Sequence, residues 1–298
     1  MNDVSLNNGR RIRQDQLPPT HVVDNRVYCS QEVFNTEQQK LFSRVWKFVA
    51  CESEVLEPFD FRTTTVAGVP LVIVRGADSV IRAFVNSCSH RGVKLVDEPS
   101  GNAKRFECLF HRWTCDALGK CIDIPREEAY RNVGIDKAQC GLKQVRCETV
   151  RGLVFVNLDD GASSLEAYLC GCLGVFDDLF EKAELEVFHY HEQIIDTDWK
   201  HWQETNMELY HEYLHVLNRR TSMTLPAYFT RKWHAFGNGH ATIEPFIVEY
   251  ERMPGMASRT DDTLPGFQPH AFRLLDIFPD MMINCRPSVV RLDTQIQL

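Results

Sequence analysis

No apolar run in this chain reaches the roughly 18 residues that a membrane-spanning helix needs. The best stretch, residues 69–74, is cut short by Arg75. The N-terminus is polar (Asn2, Asp3, Asn7, Asn8, Arg10, Arg11, Arg13) and lacks the apolar core of a secretory signal. Cytoplasmic localisation and no membrane partner are therefore expected. Dense basic runs are also missing, and the formal net charge is −8 over 298 residues. Such a surface repels a phosphate backbone, which excludes nucleic acid as a partner. Neither a dinucleotide nor a flavin fingerprint occurs, nor any internal repeat or low-complexity tract. What the chain does have is thiol and imidazole, eleven cysteines and eleven histidines. An odd cysteine count without a signal segment favours reduced thiols and metal ligands over a disulfide framework.

With 44% apolar and 25% charged residues, the chain can build two domains with cores of their own. Residues 1–45 read as a polar arm and a helix, and the spacing of Val33, Phe34, Leu41, Phe42, Val45 and Trp46 predicts that helix over 31–48. Short β-like runs follow at 63–66, 70–74, 81–86, 122–124 and 150–158, the texture of a sheet-rich domain over 46–160. Asp159-Asp160-Gly161-Ala162-Ser163-Ser164 reads as a linker. Within 161–298, Ser164 caps a helix running to Leu179, residues 185–195 alternate like a strand, and Asp198 caps a long helix reaching Asn218. Strands return at 241–251, 272–283 and 288–298. The expected class is α+β, a β-domain followed by an antiparallel sheet with helices.

Two short Cys/His pairs carry the strongest chemical signal: Cys88-Ser89-His90, then seventeen residues, then Cys108-Leu109-Phe110-His111. Pairs of this kind, on adjacent loops, can converge on a [2Fe–2S] centre with two thiolates on one iron and two imidazoles on the other. Neutral imidazoles in place of thiolates remove negative charge and raise the potential, which suits one-electron transfer. A structural Cys2His2 zinc site uses the same residue types, but it usually groups like ligands together, whereas each pair here mixes one Cys with one His.

The run from Cys88 through Arg91-Gly92, then Cys108 through His111-Arg112-Trp113, then Leu118-Gly119 and Pro125, resembles the Rieske domain of aromatic-ring-hydroxylating oxygenases. Respiratory Rieske proteins carry an extra Cys in each loop. Val93 and Phe110 stand there instead, which favours the oxygenase type. Arg112 stands where the family usually has Gly, and Cys115 where it often has Tyr. Cys115 and Cys121 read as core or turn thiols outside the ligand set.

Further along, His211 and His215 fall one helical turn apart, with Glu208 three residues earlier on the same face. The alternatives are a Tyr/His-rich helix packing on a core, or the zinc-protease motif H-E-x-x-H with Glu212 as base. The longer protease version wants Gly and His where Asn218 and Thr221 stand. Trp199-Lys200, Glu204, Glu208, Tyr210 and His211 resemble the oxygenase frame W-K-x-x-x-E-N-x-x-[DE]-x-Y-H. The resemblance implies that His211 and His215 hold a mononuclear Fe(II) in a 2-His-1-carboxylate site. It also implies that Glu208 bridges to a Rieske His of a neighbouring subunit in a ring-shaped homotrimer. Two positions depart from the frame: Thr205 stands at the family Asn, with Asn206 one place later, and Val216 at the commoner second-His position.

The family's third iron ligand is an Asp more than a hundred residues past the second His, whereas Leu298 lies eighty-three residues past His215. That ligand is expected beyond Leu298, in a catalytic domain (START or Bet v1-like) that is truncated here. Asp276, Asp280 and Asp293 do not match its position. In a fallback, Glu208 itself joins both His on the metal. A separate NADH-dependent reductase is implied, with or without a ferredoxin and a small β subunit. An iron–sulfur electron carrier without oxygenase chemistry is the second class of reading. Residues 60–65, 185–191 and 206–218 look like the large subunit of methanesulfonate monooxygenases, although that branch is expected to carry a longer insertion between the two Cys/His pairs. The substrate is therefore a methanesulfonate-like sulfonate or an aromatic acid, to be met with O2. Arg219, Arg220, Arg231 and Lys232 are candidate cations for it. His189 and His191 read as structural strand residues.

Overall fold

The computed structural model describes residues 4–5, 11–12, 23–208, 231–247, 264, 271–286 and 288–297. Two short strands, β1 (Val4–Ser5) and β2 (Arg11–Ile12), pair antiparallel. Helices α1 (Arg26–Cys29) and α2 (Gln31–Glu37) follow, and a π-helical turn covers Gln38–Phe42. The chain divides into two compact units. One gathers Gln38–Ala162 with Glu186–His191 and Ile296–Leu298; the other gathers Met1–Glu37, Ser163–Leu185 and Glu192–Gln295.

The helix expected over 31–48 is shorter than the apolar spacing indicates. Lys47–Cys51 is strand β3, because its backbone joins a ladder with a strand over a hundred residues later, and that pairing overrides local periodicity. The other strands of this unit are β4 (Asp60–Val66), β5 (Val69–Arg75), β6 (Ile81–Val85), β7 (Ser100–Asn102), β8 (Arg105–Glu107), β9 (Thr114–Asp116), β10 (Cys121–Asp123), β11 (Gln144–Val150) and β12 (Leu153–Asn157). They form a seven-stranded sheet of order β3-β12-β11-β6-β5-β4-β7 and a three-stranded sheet of order β10-β9-β8. The run expected at 150–158 is the second arm of a hairpin, turning at Arg151-Gly152.

The apolar stretch 69–74 becomes the interior strand β5, flanked by β6 and β4. Leu71 and Ile73 enter one core cluster with Ala50, Val66 and Val154, while Val72 and Val74 enter another with Phe84, Phe106 and Cys115. Alternation with period two thus feeds both faces of the sheet, so a continuous apolar run is required. Gly119 closes the turn between β9 and β10 at φ +79°, where Asp116 accepts from the backbone N–H groups of Leu118 and Lys120. A Cβ on Gly119 would lie 2.3 Å from Cε1 of the buried Phe84.

The other unit holds a five-stranded antiparallel meander: β13 (Trp233–Ala235), β14 (Ala241–Ile247), β15 (Ala271–Ile277), β16 (Met281–Arg286) and β17 (Val289–Thr294). The single strand expected at 272–283 is two, joined by a turn at 278–280. Ser164 caps α3 (Leu165–Leu169) as expected, its hydroxyl accepting from Ala167 N–H. The helix does not continue to Leu179, because Cys170 and Gly171 both adopt positive φ and break it. A 3-10 turn (Cys172–Phe176) and α4 (Asp177–Phe180) carry on instead. Residues 185–195 form no strand: they have no ladder partner among the described residues, and Phe188 and Ile194 are 79% and 83% exposed. His189 and His191 are accordingly exposed loop residues rather than strand residues.

Gly119→Ala combines a left-handed Ala with overpacking against Phe84, and should destabilise the β-rich unit by about 2–4 kcal/mol. Urea unfolding followed by tryptophan fluorescence measures this, and an unchanged midpoint would contradict it.

Candidate metal centre

Two loops of the β-rich unit repeat one backbone pattern. In the first, Cys88 N–H donates to Val93 O (2.7 Å) and Gly92 N–H to Cys88 O (2.8 Å). In the second, Cys108 N–H donates to Trp113 O (2.9 Å) and Arg112 N–H to Cys108 O (3.0 Å). Gly92 sits at φ +74° and Arg112 at φ +62°, so both loops turn through a left-handed residue at the same place. Arg112, the departure from family pattern seen in the sequence, therefore occupies a position that favours Gly. Its guanidinium pairs with Glu107 at 2.7 Å.

The loops bring Cys88 and Cys108 into one buried cluster and His90 and His111 into ring contact, although among the described residues no three such side chains are already arranged to hold a metal ion. Both thiols are buried, in a cluster with Trp113 and Ile124. The imidazoles of His90 and His111 lie 4.6 Å apart between centroids, edge to face. The Trp113 ring stacks on His90 at 4.8 Å and is itself met edge-on by Tyr130. Ser89 hydroxyl ties the first loop to Cys140 O. His90 Nδ1 is buried and has no hydrogen-bond partner. Burial lowers the His90 pKa, with His111 and Arg91 adding to the shift, so the imidazole is neutral and its lone pair is available to a metal. Burial pushes the Cys88 thiol up, and its neighbour Cys108 adds to the effect. A bound cation would reverse this and hold the sulfur as thiolate. Two soft sulfurs and two imidazoles, one of them with a buried nitrogen left unpartnered, are a donor set that fits a [2Fe–2S] centre. Leu109 and Phe110 project outward beside His111, 74% and 68% exposed.

Asp198 caps α5 (Trp199–Asn206) in the other unit, accepting from Lys200 N–H as expected. Its start is anchored by Trp199 Nε1–H and Lys200 Nζ, both donating to Glu37, at 2.9 and 2.8 Å. Tyr28 hydroxyl donates to Glu204 at 2.8 Å, and its ring stacks on His201. Burial and then the Glu204 carboxylate push the Tyr28 pKa up to about 12. Sequence reasoning gave Tyr28 and Glu37 no role; aromatic and acidic residues in a polar arm carry no local sign of a partner some 160 residues away. Glu208 follows the helix and is half-buried. His211, His215, Arg219 and Arg220 lie outside the described residues, as does the expected extension of the helix to Asn218. Arg231 is half-buried and Lys232 exposed.

Of the acids noted in the sequence, Asp293 pairs with Arg291 at 2.8 Å, and Asp280 is buried. Asp276 is 5% exposed, and burial pushes its pKa up to about 7. His240, fully buried, is explained structurally: Nδ1 accepts from Phe278 N–H, so Nε2–H donates to Tyr168 O.

Residues 45–145 match the model of the Rieske [2Fe-2S] domain. Over 95% of its length the chain is 48% identical to the alpha subunit of 2-aminobenzenesulfonate 2,3-dioxygenase from an Alcaligenes species, covering 73% of that protein. It is 40% identical over 91% of its length to the hydroxylase alpha subunit of methanesulfonate monooxygenase from Methylosulfonomonas methylovora, covering 68% of it. Among solved structures, naphthalene 1,2-dioxygenase from a Rhodococcus species superposes with a TM-score of 0.74 at 23% identity, over 91% of this chain and 68% of that one. A quaternary ammonium Rieske monooxygenase bound to gamma-butyrobetaine gives 0.69 at 25%, over 90% and 68%. The chain belongs to the Rieske-type oxygenases, as a member of their large (alpha) subunits. Its α+β architecture, a Rieske β-domain followed by an antiparallel sheet with helices, is theirs. Among the described residues no helix is long and apolar enough to cross a membrane.

Because the folded-state pKa of Asp276 is raised above its unfolded value, its ionisation opposes folding; the cost is absent below about pH 4 and complete above about pH 7. Asp276→Asn should therefore gain stability relative to the parent as pH rises from about 5 to about 8. Urea titrations across that range read the difference, and a gap that does not vary with pH would refute the assignment.

Proposed function

We propose that this chain is the large subunit of a terminal oxygenase that uses O2 to hydroxylate an aromatic sulfonate, inserting one or both oxygen atoms. The observation that carries the reading is a pair of loops with one backbone pattern that bury the Cys88 and Cys108 thiols in one cluster and set the His90 and His111 rings edge to face, with His90 Nδ1 buried and unpartnered. Its setting is a chain 48% identical to a relative whose name gives 2-aminobenzenesulfonate as substrate. The methanesulfonate name of the second relative shares the sulfonate head, and the higher identity to the first favours an aromatic body.

In this reading Cys88 and Cys108 hold one iron of the cluster, and His90 and His111 the other. A [2Fe–2S] centre with this ligand set supplies one-electron transfer at a potential raised by its neutral ligands. The protein's part is placement. Trp113 stacks on His90 and fixes its ring plane, the two repeated loop patterns set the spacing of the pairs, and Leu109 and Phe110 give the exposed side of His111 an apolar rim. His211 and His215, with a carboxylate beyond Leu298, hold a mononuclear Fe(II), which supplies oxygen activation at its open coordination positions.

Glu208 bridges His211 to a cluster histidine of the next subunit in a head-to-tail trimeric ring. It is a positioning residue. Electrons come from NADH through a separate reductase, with or without a ferredoxin, and a small β subunit completes some assemblies of this kind. Residues 1–45 serve as arm and helix, 46–160 as the cluster domain and 161–298 as part of the catalytic domain, all in the cytoplasm. Of the four candidate cations two lie among the described residues, and Arg231, half-buried where Lys232 is exposed, is the one assigned to meet the sulfonate.

Metal and acid-labile sulfide analysis of the full-length subunit should find the two irons and two sulfides of one [2Fe–2S] centre plus one further iron. Two irons without the third would leave an electron carrier, and zinc without sulfide would end the proposal. Glu208→Gln should leave both metal sites filled yet slow substrate-dependent reoxidation of the reduced cluster, followed by its visible absorbance. Reoxidation at the parental rate would remove Glu208 from the bridge.

A further inference from the structure

The five-stranded sheet carries a buried polar pair that neither the cluster nor the iron site uses. Register puts Asp276 opposite Met282 and Leu274 opposite Asn284, so all four side chains share one face. Ile243 stands opposite Leu274, and Trp233 opposite Ile243, extending that face across β14 and β13. Trp233, Ile243, Leu274 and Met282 pack into one apolar cluster. The opposite face is engaged structurally: Arg273 on it pairs with Asp178 and donates to Val175 O.

On the apolar face Asp276 is 5% exposed and Asn284 6% exposed, yet Asp276 Oδ1 and Asn284 Oδ1 are both buried without a hydrogen-bond partner. A buried oxygen without a donor is destabilising, so a native fold that keeps two together calls for an explanation. Diagonal positions on an antiparallel pair lie roughly 7–8 Å apart, close enough for two short side chains to meet a single group between them. Asn284 Oδ1 is an acceptor, and Asp276 Oδ1 is one above about pH 7, where the carboxyl raised by burial is ionised. They repel a sulfonate or carboxylate and suit a group with two N–H bonds, while the aromatic and aliphatic cluster beside them suits a ring.

We propose that Asp276 and Asn284 form a specificity notch in the substrate floor, accepting N–H hydrogen bonds from an amino substituent on the aromatic ring. The assignment rests on the aryl sulfonate reading only for the rest of the substrate; the notch itself is defined by the sheet. It divides the labour of recognition, with acceptors at one end of the ring and a cation needed at the other.

Calorimetric titration of the full-length, metal-loaded subunit tests this with two ligand pairs, 2-aminobenzenesulfonate against benzenesulfonate and aniline against toluene. The parent should bind each amino compound at least about tenfold more tightly than its partner. In Asp276→Leu and Asn284→Leu, which remove an acceptor without leaving a new buried polar atom, that preference should fall towards one while benzenesulfonate affinity stays within about threefold. Asp276→Asn keeps an acceptor and should retain part of the preference. Retained benzenesulfonate binding and a cooperative urea transition serve as the folding controls for all three variants. An undiminished preference in both leucine variants overturns the proposal, as does a parent that does not discriminate in either pair, which would mean that the notch holds only water. A parent that ignores both sulfonates but prefers aniline to toluene keeps the notch and refutes the sulfonate reading.

Discussion

Everything proposed for the cluster depends on two loops adopting the same turn. Each begins with a buried cysteine whose N–H is taken by the carbonyl five residues on, and each reverses through a residue in the left-handed region. That shared pattern carries each Cys/His pair on one short loop and leaves His90 Nδ1 buried and unpartnered. Trp113 couples the two loops, because the residue whose carbonyl closes the second is also the ring that stacks on the histidine of the first. The seven-stranded and three-stranded sheets are the platform for this arrangement. Phe61 and Val72 of the larger sheet share a core cluster with Phe106 and Cys115 of the smaller, so the bases of both loops are set by packing.

Much of this was legible in the residues. Mixed Cys/His pairs have few structural uses, so Cys88, His90, Cys108 and His111 stood out without any knowledge of the fold. The capping roles of Ser164 and Asp198 could likewise be read, because a cap is a local event between a side chain and a backbone N–H two or three residues away. What periodicity missed was non-local. The helical spacing that ends at Trp46 predicts a helix reaching residue 48, but Lys47 and Phe48 open a strand because β12 pairs with it. Residues 185–195 carry the alternation of a strand and form none, because alternation without a ladder partner confers no hydrogen bonds. The helix after Ser164 stops at Cys170, a non-glycine residue at positive φ that propensity would not select as a break.

The acids show a similar limit. Asp276, Asp280 and Asp293 look equivalent in the sequence, yet one is a half-buried partner of arginine and another a buried carboxyl with an empty acceptor. Strand register decides between these outcomes, and register is not written in any single residue. The arginine at position 112 is the converse case. Its departure from the family's glycine was visible in the sequence, but only the backbone shows that it inherits the left-handed turn and keeps the loop geometry nonetheless.

The arm ahead of the β-rich unit has a practical consequence. Tyr28 and Glu37 supply the groups that grip Glu204, Trp199 and Lys200 on α5, the helix that leads to Glu208. Trimming the first forty residues as dispensable would strip that helix of its clamps without touching any residue assigned to iron or substrate. A shortened protein would then keep the brown colour of its cluster and lose oxygenase activity, its α5 left without a brace.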